Sequence, residues 1–199
     1  MLREHLILTG QRIELRPLTL DHEEALIHAA SDGELWNLHY TTVPSPVTMR
    51  YYIEKALQAH ESGREQPFVI LNHLTEQVVG TTRYANIDTQ HRKREIGYTW
   101  LARSVQRTST NTEAKYLLLN HAFEIEQCIR VEFVTDVLNE RSRAALARIG
   151  AKEEGVLRNH MIMPDGRHRD SVSFSIIDTD WPAVKESLVE KLNDHAINL

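Results

Sequence analysis

Residues 94–113, REIGYTWLARSVQRTSTNTE, run an apolar strand into a short loop of Gln, Ser and Thr that opens directly onto a helix. A second strand, RVEFVTDV at 130–137, follows that helix. Strand, helix and strand in this order require a crossover, so the two strands are expected as parallel neighbours. The first turn of a helix has backbone N–H groups without partners and lies at the positive end of the helix dipole. A polar loop delivered there is an anion cradle, and a phosphate-bearing cofactor is its expected occupant.

The rest of the chain alternates helical and extended patterns. RIELR at 12–16 alternates and meets Pro17, which reads as a strand. Thr19 is placed to cap a helix burying Ala25, Leu26 and Ala29. Ser31 and Glu34 have capping-box spacing for a second short helix. Tyr40 to Pro46 reads as a loop, and Thr48 as the cap of a helix ending near Gly63. Strands are predicted at 67–72, 77–87 and 93–101, the first two as an antiparallel hairpin. Thr110 and Glu113 have capping-box spacing for the long helix, whose expected inner face is Ala114, Leu117, Leu118, His121, Ala122 and Ile125. Asn139 is placed to cap a short helix with Ala145, Leu146 and Ile149 inward and Gly150 as its stop. Two strands, 153–163 and 168–177, flank the turn Pro164-Asp165-Gly166, and a polar helix follows from Pro182.

The 199 residues, 41% hydrophobic and 26% charged, suit a globular domain with a sizeable core. The net charge of -5 argues against a dedicated nucleic-acid binder, so no direct nucleic-acid partner is expected. With one cysteine, Cys128, no intrachain disulfide can form. No apolar run approaches the ~18 residues of a membrane span. The first ten residues lack the pattern of a signal peptide, so no membrane partner is expected and a cytoplasmic location is.

Five segments carry a family resemblance: EIGYTWL (95–101), NTEAKYLLL (111–119), NERS (139–142), RIGAKEEG (148–155) and RNHMIMPDGRHRDSVSFSI (158–176). Together they resemble the GNAT acyltransferase superfamily, and more closely its RimJ/RimL-like branch, which includes N-terminal acetyltransferases of ribosomal proteins. The resemblance runs from RIELRPL at 12–18 to DTDWPAV at 178–184. It implies one domain over residues 1–199 with an α/β (α+β) GNAT fold: a twisted, mixed but mostly antiparallel central sheet flanked by helices. It also implies an N-acetyltransferase using acetyl-coenzyme A as cosubstrate and no metal. The acceptor would be a primary amine, on a protein N-terminus or a small molecule, attacking the thioester directly, and a homodimer would be common in the branch.

The resemblance also assigns residues. Gln106, Arg107, Thr108, Ser109, Thr110 and Asn111 match the pyrophosphate loop, with Ser109 and Arg107 standing where glycines are expected. A glycine there permits close backbone approach and positive φ; Arg107 could supply a charged contact instead. Backbone N–H groups around Thr99, Trp100 and Leu101 would hold the acetyl carbonyl. Asn139 would position the pantetheine arm. Ser142 would lie near the sulfur as proton donor, or orient a water, because no tyrosine occurs between Asn139 and Gly150. For the general base, Glu95 and His160 stand level: the first opens the cleft strand, the second replaces a glutamate after the second motif.

Two rivals remain at this level. One is a non-catalytic module of the same fold with weak coenzyme affinity. The other is a metal-dependent hydrolase drawing on the 11 histidines, among which His91, His160 and His168 could converge only by folding. Cys128 is expected in the core, Trp36 and His39 are candidates to line a substrate groove with core packing the expected role of Trp36, and Arg158, Arg167 and Arg169 are expected as solvated hairpin charges.

Overall fold

The computed structural model of the protein describes residues 6–197, with side chains in the last helix as far as Asp194; residues 1–5, part of the stretch tested above for a signal peptide, lie outside it. One eight-stranded sheet organises the chain in the order β1-β2-β3-β4-β5-β6-β8-β7. The strands are β1 (Leu8–Thr9), β2 (Ile13–Pro17), β3 (Gln66–Asn72), β4 (Gln77–Asp88), β5 (Lys93–Leu101), β6 (Arg130–Asp136), β7 (Lys152–Ile162) and β8 (His168–Ile177). All neighbours are antiparallel except β5 and β6, the parallel pair that the crossover required.

Helices cover both faces. Helices α1 (Glu23–Ser31) and α2 (Met49–Glu61) pack on one, where Leu26, Ile53, Val69 and Trp100 share a core. Helix α3 (Thr110–Asn120), α4 (Glu140–Arg148) and α5 (Trp181–Ile197) line the other, around Tyr84, Ile96, Leu118, Phe133 and Leu188. The alternation of side chains along a strand sends neighbouring residues to different cores: Tyr84 faces α3, where its hydroxyl donates to the Leu118 carbonyl at 2.5 Å, while Arg83 faces α2.

Three helix ends differ from the sequence-based expectation. Thr19 opens a 3-10 turn, Leu20–His22, in a reciprocal cap with His22, and α1 begins after it. Ser31 ends α1 with its hydroxyl on the Ile27 carbonyl, and Glu34 has φ 45°, so the Ser31–Glu34 box does not form and only the turn Leu35–Asn37 follows. Thr110 is already helical, with Ser109 at the cap position.

Glu113 makes a longer-range connection than the expected capping box. Its Oε1 accepts the backbone N–H of Gln11 at 2.5 Å and of Arg12 at 3.1 Å, tying the β1–β2 turn to the first turn of α3. Glu113 is 3% exposed, and Gly10 leaves it room: a Cβ there would come within 2.3 Å of Oε1. Glu113→Ala, which strands two part-buried N–H groups, is expected to lower stability by about 1 kcal/mol in denaturant unfolding.

The inner face of the long helix also changes register. A π turn at His121–Ile125 inserts an extra residue, so Ala114, Leu118 and Ala122 are buried while Ile125 is rotated outward and 56% exposed. Lys115, which the apolar periodicity leaves on the flank, is instead buried. In α4, Asn139 caps as expected, its Oδ1 accepting the Ser142 N–H at 3.0 Å, and Gly150 closes the helix at φ 89°.

Candidate active site

β5 and β6 pair over only three rungs, Lys93↔Arg130, Arg94↔Val131 and Glu95↔Glu132. Beyond Glu95 the backbone of β5 has no strand neighbour on its β6 side, although both strands continue. The cause lies in β5 itself. Between Gly97 and Trp100 it has two residues, Tyr98 and Thr99, against the single Thr82 of β4, a bulge that bends the strand. Tyr98 sits at φ 52°, a left-handed conformation that costs a tyrosine about 1 kcal/mol. The Thr81 hydroxyl donates to the Tyr98 carbonyl at 3.2 Å and steadies the bend.

The open end of the parting meets two helix N-termini. On one side Gln106 Nε2 donates to the Leu101 carbonyl at 2.8 Å, stapling the loop before α3 to the end of β5. Thr108 Oγ1 donates to the Val105 carbonyl at 2.7 Å and accepts the Thr110 N–H at 3.3 Å. Among the described residues, the N–H groups of Asn111 and Thr112 have no partner. The two missing glycines are accommodated differently. Arg107 adopts φ 65°, the conformation a glycine would supply. Ser109 is buried with its hydroxyl turned down to Arg12 Nη1 at 3.3 Å, away from the loop's outer surface. Arg12 Nη1 also lies 3.5 Å from the Leu192 carbonyl of α5. The loop therefore keeps its unpartnered amides without the glycines. Relieving the backbone strain with Arg107→Gly should raise stability by up to about 1 kcal/mol in thermal unfolding.

On the other side, α4 starts just past β6. Asp136, 1% exposed, organises this turn: it accepts the Leu138 N–H at 3.0 Å and pairs with Arg167 at 2.5 Å and Arg169 at 4.0 Å. These two arginines are thus site structure, which corrects their reading as solvated hairpin charges. Burial lowers the pKa of Arg169, with Asp136 opposing that shift. Arg167 also donates to the His39 carbonyl at 3.3 Å. Arg158 is exposed on β7. Ser142 is half-buried in the first turn of α4.

The closed end holds Glu95. Asn86 Nδ2 donates to its Oε2 at 2.8 Å, and its carboxylate lies over Gly97, where a Cβ would approach to 2.9 Å. Burial pushes its pKa up, and the like charge of Glu132 on the same rung adds to this. Arg94, a neighbour in sequence that could have paired with it, instead lies 3.7 Å from Glu126 and stacks over Tyr84. Beside Glu95, on the α1/α2 face, Arg83 is sandwiched between Tyr98 at 4.2 Å and Tyr52 at 4.6 Å and bonded to Glu65 at 2.7 Å. This aromatic–guanidinium stack was not anticipated from the sequence, because its members are scattered over residues 52–98.

His160 stands apart from Glu95. It is exposed on β7, hydrogen-bonded to Ser171 at 3.0 Å, at the level of Asp136 on β6. That is four residues, or about 13 Å, along β6 from the Glu132 rung. Trp100 and Leu101 send their side chains into opposite cores, leaving only their backbone to the parting. Cys128 is buried, with its thiol pKa raised by burial. Among the described residues no group of three His, Cys, Asp or Glu is placed to hold a metal, and His91 pairs instead with Asp88.

Comparison with known proteins gives the family of the chain. Residues 12–152 match the family model described as an acetyltransferase (GNAT) domain. The chain belongs to the GNAT acetyltransferase family. It is an acetyltransferase of the RimJ/RimL-like branch, and the eight-stranded, mostly antiparallel sheet is the GNAT fold. YdaF of Bacillus subtilis, named as a ribosomal N-acetyltransferase, is 38% identical over 100 residues, spanning 50% of this chain and about half, 54%, of that relative's length. The crystal structure of an acetyltransferase from T. thermophilus superposes with a TM-score of 0.82 at 36% identity, covering 94% of this chain and 96% of that one. Mycobacterium smegmatis RimJ, solved in complex with CoA-disulfide, gives 0.77 at 25% identity, covering 94% and 92%.

Proposed function

We propose that this GNAT acetyltransferase moves an acetyl group from acetyl-coenzyme A to a primary amine by direct attack. A protein N-terminus is the acceptor class put first, since YdaF is named for a ribosomal substrate; a small-molecule amine is the other. The observation that carries the reading is the parting of β5 from β6 beyond Glu95, which leaves one edge of β5 unpaired beside a helix N-terminus with free amides.

In this reading the amides of Asn111 and Thr112, with Arg107 beside them, take the pyrophosphate. The pantetheine arm lies in the parting against the unpaired edge of β5, with Asn139 at its side. Backbone N–H groups around Thr99 to Leu101 receive the carbonyl oxygen as negative charge develops on it. Glu95 is the base, acting through water on an amine delivered from the α1/α2 face; its burial and raised pKa match it to that work better than exposed His160. Ser142 orients a water at the reacting end. Alignment of the two reactants supplies much of the acceleration, and no covalent enzyme intermediate is needed.

Isothermal titration with acetyl-coenzyme A, followed by thiol release across a panel of peptides and small amines, tests the reading. Saturable heat and acceptor-dependent thiol are expected. No heat at high donor concentration would instead favour the non-catalytic form of the fold.

A further inference from the structure

Lys115 lies at the floor of the parting. It comes from the second turn of α3 and is 5% exposed. Its Nζ donates to Thr99 Oγ1 on β5 at 2.7 Å and sits 6.0 Å from the centre of the Phe133 ring on β6. The ammonium therefore bridges beneath the two strands at the level where they have ceased to pair. Thr99 Oγ1 is itself held by Thr82 Oγ1 at 2.8 Å, so the lysine is fixed by the bulge.

The charged groups on neighbouring elements are committed elsewhere. Glu113 on α3 caps the β1–β2 turn. Arg83 on β4 pairs with Glu65 on the opposite face, where Glu95 of β5 also lies with Asn86. Arg94 of β5 is near Glu126, Glu132 of β6 pairs with Arg130, Asp136 of β6 with Arg167, and Lys185 of α5 with Glu124. Burial alone lowers the Lys115 pKa, to about 7. Lysine is an expensive residue to bury without a carboxylate, and a leucine or methionine would fill the same space more favourably.

We propose that Lys115 is a catalytic residue of the acetyl transfer, the proton donor to the departing coenzyme A thiolate, reaching the sulfur from beneath the parting. This role rests on the acetyl-coenzyme A reading above. As the acceptor nitrogen bonds to the acetyl carbon, the carbon–sulfur bond breaks and its electron pair goes to sulfur. The Lys115 ammonium gives sulfur a proton, leaving a free thiol and a neutral amine. The acceptor's proton goes to Glu95, and water reprotonates Lys115 after the thiol leaves. The acidities favour this transfer. An ammonium near pKa 7 is a stronger acid than a thiol of ordinary pKa ~8.5, whereas a lysine near ~10.4 would be weaker. A serine hydroxyl is weaker still, which leaves Ser142 its water.

The test uses the full chain with Lys115→Met and Lys115→Arg. Methionine keeps the length without the proton, and arginine keeps the charge without an available acidity. Both variants are expected to bind acetyl-coenzyme A as the wild type does, with thiol-release kcat about 10²-fold lower. Wild-type kcat should fall as pH rises above about 7, where the Lys115 ammonium is lost, and Lys115→Met should lack this basic limb. Wild-type turnover in Lys115→Met, or the same basic limb in both proteins, overturns the proposal. If Lys115→Met does not fold, wild-type turnover in Lys115→Arg overturns it alone. A wild type that fails to bind acetyl-coenzyme A defeats the donor reading first, and this role falls with it.

Discussion

Glu95→Gln is expected to lower kcat for amine acetylation by at least about 10²-fold while leaving acetyl-coenzyme A affinity intact. The loss corresponds to roughly 2.7 kcal/mol of transition-state stabilisation. Glutamine keeps an oxygen for Asn86 Nδ2 and fits over Gly97, so the fold should be undisturbed. The pH dependence gives the sharper test. Burial and Glu132 raise the Glu95 pKa, and the base must be ionised to act. Wild-type kcat should therefore fall as pH drops through that raised value, and the variant should lack this acidic limb. The same raised pKa means that the ionised carboxylate costs the folded state stability above it, a cost relieved as pH falls. Glu95→Gln should accordingly melt no lower than the wild type at neutral pH. A variant with full activity, or one retaining the limb, removes Glu95 from the role.

Lys115→Met is expected to raise stability by about 3 kcal/mol at pH 7, a shift of roughly 8 °C in melting temperature for a chain of this size. The folded-state pKa of about 7, against an ordinary 10.5, sets an upper bound of about 5 kcal/mol, from which loss of the Thr99 hydrogen bond subtracts about 1. The sign follows from the depressed pKa of a cationic group. The wild-type penalty is full at and below pH 7, where the ammonium is buried, and shrinks to nothing as pH rises to 10.5, where the unfolded lysine is neutral too. The melting difference between variant and wild type should narrow accordingly between pH 7 and 10. An advantage that does not change with pH would show that packing, not charge, is responsible. A variant that is more stable yet slower is the pattern expected of a residue retained for chemistry.

Local chemistry made much of this molecule readable in its sequence. The strand–loop–helix at 94–113, the crossover to β6, the Asn139 cap, Gly150 and the Pro164-Asp165-Gly166 turn each depend on neighbours in the chain. What escaped depends on residues far apart. Lys115 looks like a flanking charge until the splayed strands close over it. The π turn that rotates Ile125 outward has no sequence signature at that position. Nothing around Tyr98 announces a left-handed residue inside a strand; asparagine or glycine would have. Asp136 and its arginines are separated by some thirty residues and meet only across β6 and β8. The departures from glycine at 107 and 109 raised doubt about the phosphate loop. The chain accommodates these departures with local backbone strain at one position and an inward-turned hydroxyl at the other.

Arg12 touches both Ser109 and the carbonyl of Leu192, a contact spanning 180 positions of the polypeptide. The cradle before α3 is thus braced by a contact between distant parts of the chain, whose loop-closure entropy must be met before the contact rewards it. Nucleotide-handle affinity in this enzyme should therefore report on completed tertiary structure rather than on any fragment, and a chain interrupted before its final helix would carry a sheet but a poorly supported grip.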